Sequence, residues 1–154
     1  MSDNANGKPW GPVVLLGRIL FSIIFLYFSI DQFNGKDLAY AAAAHVPAPK
    51  IMVPLAGALI LLGGLSVLLG YKAKLGAWLI VLFLVPVTLT MHQFWATSNP
   101  AMHAAQLQNF LRNTAFLGAA LLITQFGAGP WSLDALAAAK RSPSSAPPVA
   151  TAAR

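Results

Sequence analysis

The stretch QLQNFLRNTAFLGAALLITQF, residues 106 to 126, decides the architecture. It is apolar enough to cross a bilayer, yet it carries Asn109, Arg112 and Asn113 near its first turns. A cation at that depth is costly in hydrocarbon unless it meets a partner inside the protein or reaches water. Three further apolar stretches are available to surround it: Val13 to about Phe33, Ile51 to Gly70, and Leu75 to about His92. The first ends near Asp31 and the third at His92. The pattern predicts an all-α fold, a four-transmembrane-helix bundle organised around that polar end.

Composition supports the same reading. Of 154 residues, 57% are hydrophobic and only 9% charged, where a soluble domain carries roughly 25%. Such a chain has too little charge to cover a solvated surface, so lipid is the expected surrounding. There is no cysteine, which removes disulfides, thiol redox chemistry and Cys-ligated metals. Glutamate is absent too, leaving Asp3, Asp31, Asp37 and Asp134 as the acids. The net charge of +6 is spread between apolar spans. It reads as topology signals and contacts to anionic lipid, not as a nucleic-acid footprint.

Four segments follow along the chain. Residues 1–12 form a polar N-terminal cytosolic segment, 13–127 the four-helix bundle, 128–141 an interfacial helix, and 142–154 a Pro/Ser/Ala-rich disordered tail. The first apolar run is roughly twenty residues, longer than a signal-peptide core, and is expected to stay as a span. Ala-rich Asp37 to His45 reads as a short outer interfacial helix between the first two spans. In the second span Ala56, Gly63 and Gly70, with Gly57 and Gly64 beside them, make one small-residue seam for close helix approach. Pro86 frees a carbonyl in the third span, and Thr88 and Thr90 are at hand to serve it. Ala96 to Ala105 reads as a loop containing Asn99-Pro100. After the fourth span, Ser132 is placed to cap a short inner C-terminal helix, with Asp134 in its first turn.

Basic residues set the expected orientation. With both termini inside, the inner side holds Lys8, Lys72, Lys74, Lys140, Arg141 and Arg154, against Lys36 and Lys50 outside. That bias favours N-in and C-in, in a bacterial inner membrane. Asp31-Gln32-Phe33 and His92-Gln93-Phe94 echo one another, as two hairpins repeated in parallel would.

That topology brings Asp31, His92 and Arg112 to the outer end, with Gln93, Asn109, Asn113 and Trp95 at similar depth. An Asp31–Arg112 pair would satisfy the cation, leaving His92 to hydrogen-bond a ligand. Each has a plainer reading: Asp31 solvated at a helix end, Arg112 snorkelling, His92 bonded to a backbone carbonyl. At the inner end, Arg18, Ser22, Phe25, Ser29 and Gln32 share one helix face, and Arg18 is expected to pair with Asp134 or with lipid phosphate. No metal site is expected, because His45 and His103 fall in loops and no HExxH pattern occurs.

The runs GRILFSIIFLYFSIDQF, HVPAPKIMVPLAG, LLGGLSVLLGYKAKLGA, HQFW, QLQNFLRNTAFLGAALLI and GPWSLD, in that order, resemble the DoxX family of small four-helix membrane proteins. Arg18, Gly63-Gly64, His92, Phe94-Trp95 and Phe110 to Asn113 match the family's marked positions. A family acid three residues before the glycine pair is replaced here by Ile60. The resemblance implies association with membrane oxidoreductase systems. Some members are subunits of a thiosulfate:quinone oxidoreductase, and distant relatives act in membrane-protein assembly. The leading expectation is therefore a non-redox membrane subunit that positions a quinone or a partner at the outer Asp/His/Arg cluster. It would bind no cofactor covalently and would partner the bilayer and other membrane subunits or copies of itself. A ligand-free scaffold or assembly factor, and a small-solute carrier, are the rival readings.

Overall fold

The computed structural model describes residues 10–141. The tail expected at 142–154, and residues 1–9 of the expected N-terminal segment, lie outside the described residues. Six α-helices and no strand occur among them: α1 (Gly11–Phe33), α2 (Leu38–Ala43), α3 (Pro49–Leu69), α4 (Ala73–Met91), α5 (Pro100–Phe126) and α6 (Leu133–Arg141), with a 3-10 turn, Phe94–Ala96, between α4 and α5. The order of long helix, short helix, long helix thus occurs twice.

Three helices are long and apolar enough to cross a membrane: Gly11–Phe33, Pro49–Leu69, and Ala73–Ala96 with its 3-10 turn included. Their mean hydropathies are 2.3, 2.3 and 2.0. α5, at 27 residues, is longer than these but more polar in its first half. It begins six residues earlier than the sequence suggested. Asn99 and Pro100 are not loop residues but the start of the helix: Asn99 Oδ1 accepts from Ala101 N at 3.0 Å and Met102 N at 3.3 Å. Proline at the first helical position gives up no bond there. His103 therefore lies on α5, its ring edge-on to Phe94.

Neighbours pack in the order α1 on α3, α3 on α4, and α4 on α5. The core is Ile60, Val67, Ile80, Leu84 and Ala120, with Phe21 and Phe25. Phe116 of α5 meets Phe25 at 5.7 Å and Phe21 at 6.4 Å between ring centroids, bridging α1 and α5. The α3 glycines serve two faces and not the single seam expected. A Cβ on Gly57 or Gly64 would meet Gln32 or Leu26 of α1, whereas one on Gly63 would meet Ile80 and the Gly76 carbonyl of α4. Seven-residue spacing drifts about 20° per repeat on a straight helix, and adjacent glycines already lie 100° apart, so one helix contacts two partners.

Thr90 Oγ1 donates to the carbonyl of Pro86 itself at 2.8 Å. The carbonyl that a proline at 86 leaves without its amide is that of residue 82. Thr90 therefore does not serve it, and Thr88 Oγ1 is buried without a partner. α3 ends on Gly70 at φ +65°, with Tyr71 N donating back to Ser66 O at 3.0 Å, the left-handed close that glycine favours.

Candidate functional site: a cleft at one end of the bundle

Two polar regions stand at opposite ends of the long helices. At the end holding the α3–α4 turn, Arg18 is 5% exposed. Its Nη2 donates to Trp131 O at 2.5 Å and its Nη1 to Ala128 O at 3.3 Å. Asp134 spends its carboxylate on the first amides of α4, Lys72 N at 2.8 Å and Ala73 N at 3.1 Å. The expected Arg18–Asp134 pair is thus replaced by an indirect arrangement. The chain between α5 and α6 presents carbonyls to the guanidinium, and the carboxylate completes a helix N-terminus. Both choices satisfy backbone groups that a direct ion pair would have left unpaired. Ser132 caps α6 as expected, accepting from Ala135 N at 3.1 Å.

At the other end a cleft of about 510 Å³ opens among α1 to α5. Its walls are apolar, including Phe28, Met52, Leu59, Ile60 and Phe83, and its polar lining includes Gln32, Tyr40, His45, His92, Arg112 and Asn113. Ile60, a buried residue of α3, gives this lining an apolar side chain. This is the size and character of a small-molecule site, greasy walls with a few convergent polar groups.

Of the residues singled out from the sequence, His92, Arg112 and Asn113 meet in this cleft. Asp31 does not join them. Its carboxylate accepts from Lys36 Nζ at 2.6 Å, because the Asn34-Gly35 turn folds that lysine back over the end of α1. This bond and the carboxylate's charge raise the Lys36 ammonium above its ordinary value. The expected Asp31–Arg112 pair is therefore absent, and Arg112 Nη2 donates instead to Asn109 Oδ1 at 2.6 Å, one turn back on α5. Gln93 donates to Leu89 O at 3.1 Å at the end of α4, away from the cleft. Trp95 is 55% exposed and packs on Phe94 and Phe110, the arrangement of an aromatic interface girdle.

Two residues escaped the sequence reading. Tyr40 Oη donates to Met91 O at 2.8 Å, and Gln106 Nε2 donates to Tyr40 Oη at 3.0 Å. Gln106 Oε1 lies 3.0 Å from His92 Nδ1. Gln106, Asn109 and Asn113 stand at i, i+3 and i+7, so spacing alone placed Gln106 on the polar face. Tyr40 was hidden by the alanines around it.

The DoxX family model matches residues 13–93. Inner membrane protein YphA of Escherichia coli is 28% identical over 126 residues, 80% of this chain and 89% of that protein. ER-derived vesicles protein ERV29 of Saccharomyces cerevisiae is 24% identical over 132 residues, 86% of this chain but 36% of that longer protein. No solved structure matches. A family match across more than half of an all-helical chain with three apolar helices of membrane-crossing length settles the assignment: the chain belongs to the DoxX family of integral membrane proteins.

Proposed function

We propose that all four long helices cross the membrane and that the cleft at the outer end binds the head group of a lipid-soluble molecule of quinone type. The chain would then act as a non-redox subunit of a quinone-linked oxidoreductase complex in a bacterial inner membrane. Support for the fourth span is geometric. α5 passes His92 at Gln106, in its second turn, and the chain leaving it meets Arg18 and Lys72, at the opposite end of α4. At 1.5 Å per residue, α4 alone is about 28 Å long, near the 30 Å of hydrocarbon, so a helix running its full length crosses whatever α4 crosses. Arg112 then sits toward the rim, bonded to Asn109 and close to headgroup water. The charge bias of the loops supports N-in and C-in.

The observation that carries the ligand reading is the cleft itself. Apolar walls suit an aromatic ring and an isoprenoid tail, while Arg112 and Asn113 can donate to ring carbonyls. A quinone would supply electron acceptance that this cysteine-free chain does not offer through thiols. The protein contributes binding, orientation and donors at the rim. The test is titration of decylubiquinone into the protein in nanodiscs, read by tryptophan fluorescence. Saturable quenching that Ala56→Phe abolishes, by filling the cleft, supports the reading. Quenching indifferent to that substitution, or none at all, ends it.

A further inference from the structure

We infer that the cleft prefers a head group with a hydroxyl proton to give, a phenol or hydroquinone, over the matching ether or carbonyl, because His92 presents an unprotonated Nε2. This rests on the cleft being a binding site for lipid-soluble molecules, as proposed above.

The hydrogen-bond chain at the rim has one consistent direction. Met91 ends α4, and its carbonyl has no amide of the helix to accept from. A carbonyl oxygen only accepts, so the phenolic proton of Tyr40 goes to Met91 O across 2.8 Å. That proton is the only one Tyr40 Oη has. The oxygen can then only accept from Gln106, which fixes the amide nitrogen of Gln106 on the tyrosine side at 3.0 Å. Gln106 therefore turns its carbonyl Oε1 to His92 Nδ1 at 3.0 Å. An acceptor facing Nδ1 requires the proton to be on Nδ1. A neutral imidazole has one N–H, so Nε2 is left as a bare acceptor. Reversing the chain would strip Met91 O of its donor and leave a helix-end carbonyl unpaired.

His92 lines the cleft and Gln106 does not. The Nδ1 edge of the ring is committed to Gln106, and Nε2 is the nitrogen that remains for a ligand. Arg112 and Asn113 supply donors to the same cleft. A quinone or an ether offers acceptors only, which suit Arg112 and Asn113 but leave Nε2 unpaired. A hydroxyl satisfies it. Tyr40 and Gln106 are positioning residues, acting through the tautomer they impose.

The experiment uses a redox-inert pair of matched shape, 4-nonylphenol and its methyl ether 4-nonylanisole, with decylubiquinone alongside, in nanodiscs at pH about 8.5, above the ordinary imidazole range of about 6.5. The phenol should bind about tenfold tighter than the ether, the usual scale of one buried hydrogen bond. Gln106→Leu frees the ring to adopt either tautomer and should shrink that ratio toward about one, with decylubiquinone binding changed less than about twofold. Imidazole ¹⁵N shifts read the tautomer directly in protein carrying His45→Gln and His103→Gln, which leaves His92 as the sole histidine. A protonated Nδ1 with bare Nε2 is expected; free histidine favours the opposite form. Equal binding of phenol and ether, or an Nε2–H tautomer, overturns the inference while decylubiquinone binding keeps the cleft reading alive. Failure of all three ligands to bind removes the cleft reading and this inference with it.

Discussion

Asp134 caps a helix that begins 61 residues before it: its two carboxylate oxygens accept from Lys72 N and Ala73 N, while its own amide donates to Gly70 O at 2.8 Å. The last described helix is thereby fastened to the turn between α3 and α4. The long helices, already joined by neighbour packing and by Phe116 across α1 and α5, gain a closure at one end.

This fastening predicts a stability effect from a residue far from any ligand. Asp134→Ala leaves two orphan amides at a helix start and removes a negative charge from the positive end of the dipole. The loss should be about 1–2 kcal/mol. Asp134→Asn keeps an acceptor and should lose about half of that. Thermal unfolding in one detergent, with the three proteins side by side, reads the order.

Arg18 makes a second fastening at the same end. Arg18→Met keeps the stem but strips donors from the carbonyls of Ala128 and Trp131. Hydrogen exchange should rise across residues 127–134 and stay unchanged near Tyr40 and His92. Arg18→Lys can reach one carbonyl and should fall between. Equal exchange in all three proteins would show that the segment is held by other contacts, such as Trp131 against Gly11.

Much of this was legible in the sequence because hydrocarbon imposes simple rules. Three of the expected spans coincide with helices long and apolar enough to cross a membrane, and of the α1 face predicted by spacing, Arg18, Ser22, Phe25 and Ser29 are buried and Gln32 is half-buried. Partner choice was not legible. Asp31 and Arg112 were matched by charge, yet each found a nearer partner, Lys36 five residues on and Asn109 three residues back. Local reach prevails over charge matching when chain connectivity already holds two groups together. The same limit hid Tyr40, whose role comes from an α2 position that only the fold brings to the end of α4.

The cleft residues should separate cleanly from Asp31 in binding. Arg112→Ala removes a charged donor and should weaken decylubiquinone binding by about tenfold or more. Asp31→Asn disturbs only an exposed ion pair with Lys36 and should leave both binding and unfolding temperature unchanged within error. Isothermal titration on the two variants is the measurement. A matching loss in both would return Asp31 to the site.

Glycines give a contrast on the α3–α4 contact. A Cβ on Gly63 would stand 2.7 Å from Ile80 and 2.8 Å from the Gly76 carbonyl, whereas nothing lies within 4 Å of one on Gly17. Gly63→Ala should destabilise by about 1–3 kcal/mol through overpacking. Gly17→Ala should be neutral or stabilise by up to about 1 kcal/mol, since alanine is the better helix former. Comparable losses in both would mean that α3 and α4 slide apart at little cost.

Topology can be read on a background that nature supplies, since the chain has no cysteine to mutate away. Lys36 and Ser98 lie at the cleft end of the long helices, Lys72 and Ala137 at the end that Asp134 closes. If α5 crosses, a membrane-impermeant maleimide applied to intact spheroplasts should label Lys36→Cys and Ser98→Cys, and should reach Lys72→Cys and Ala137→Cys only after the membrane is opened. Three spans would put Ser98 and Ala137 on one side. That outcome would require the α6 helix to leave Lys72, so it would overturn the Asp134 contact together with the fourth span. Labelling of Ala137→Cys in intact cells, with Lys72→Cys still protected, is the result that decides against both.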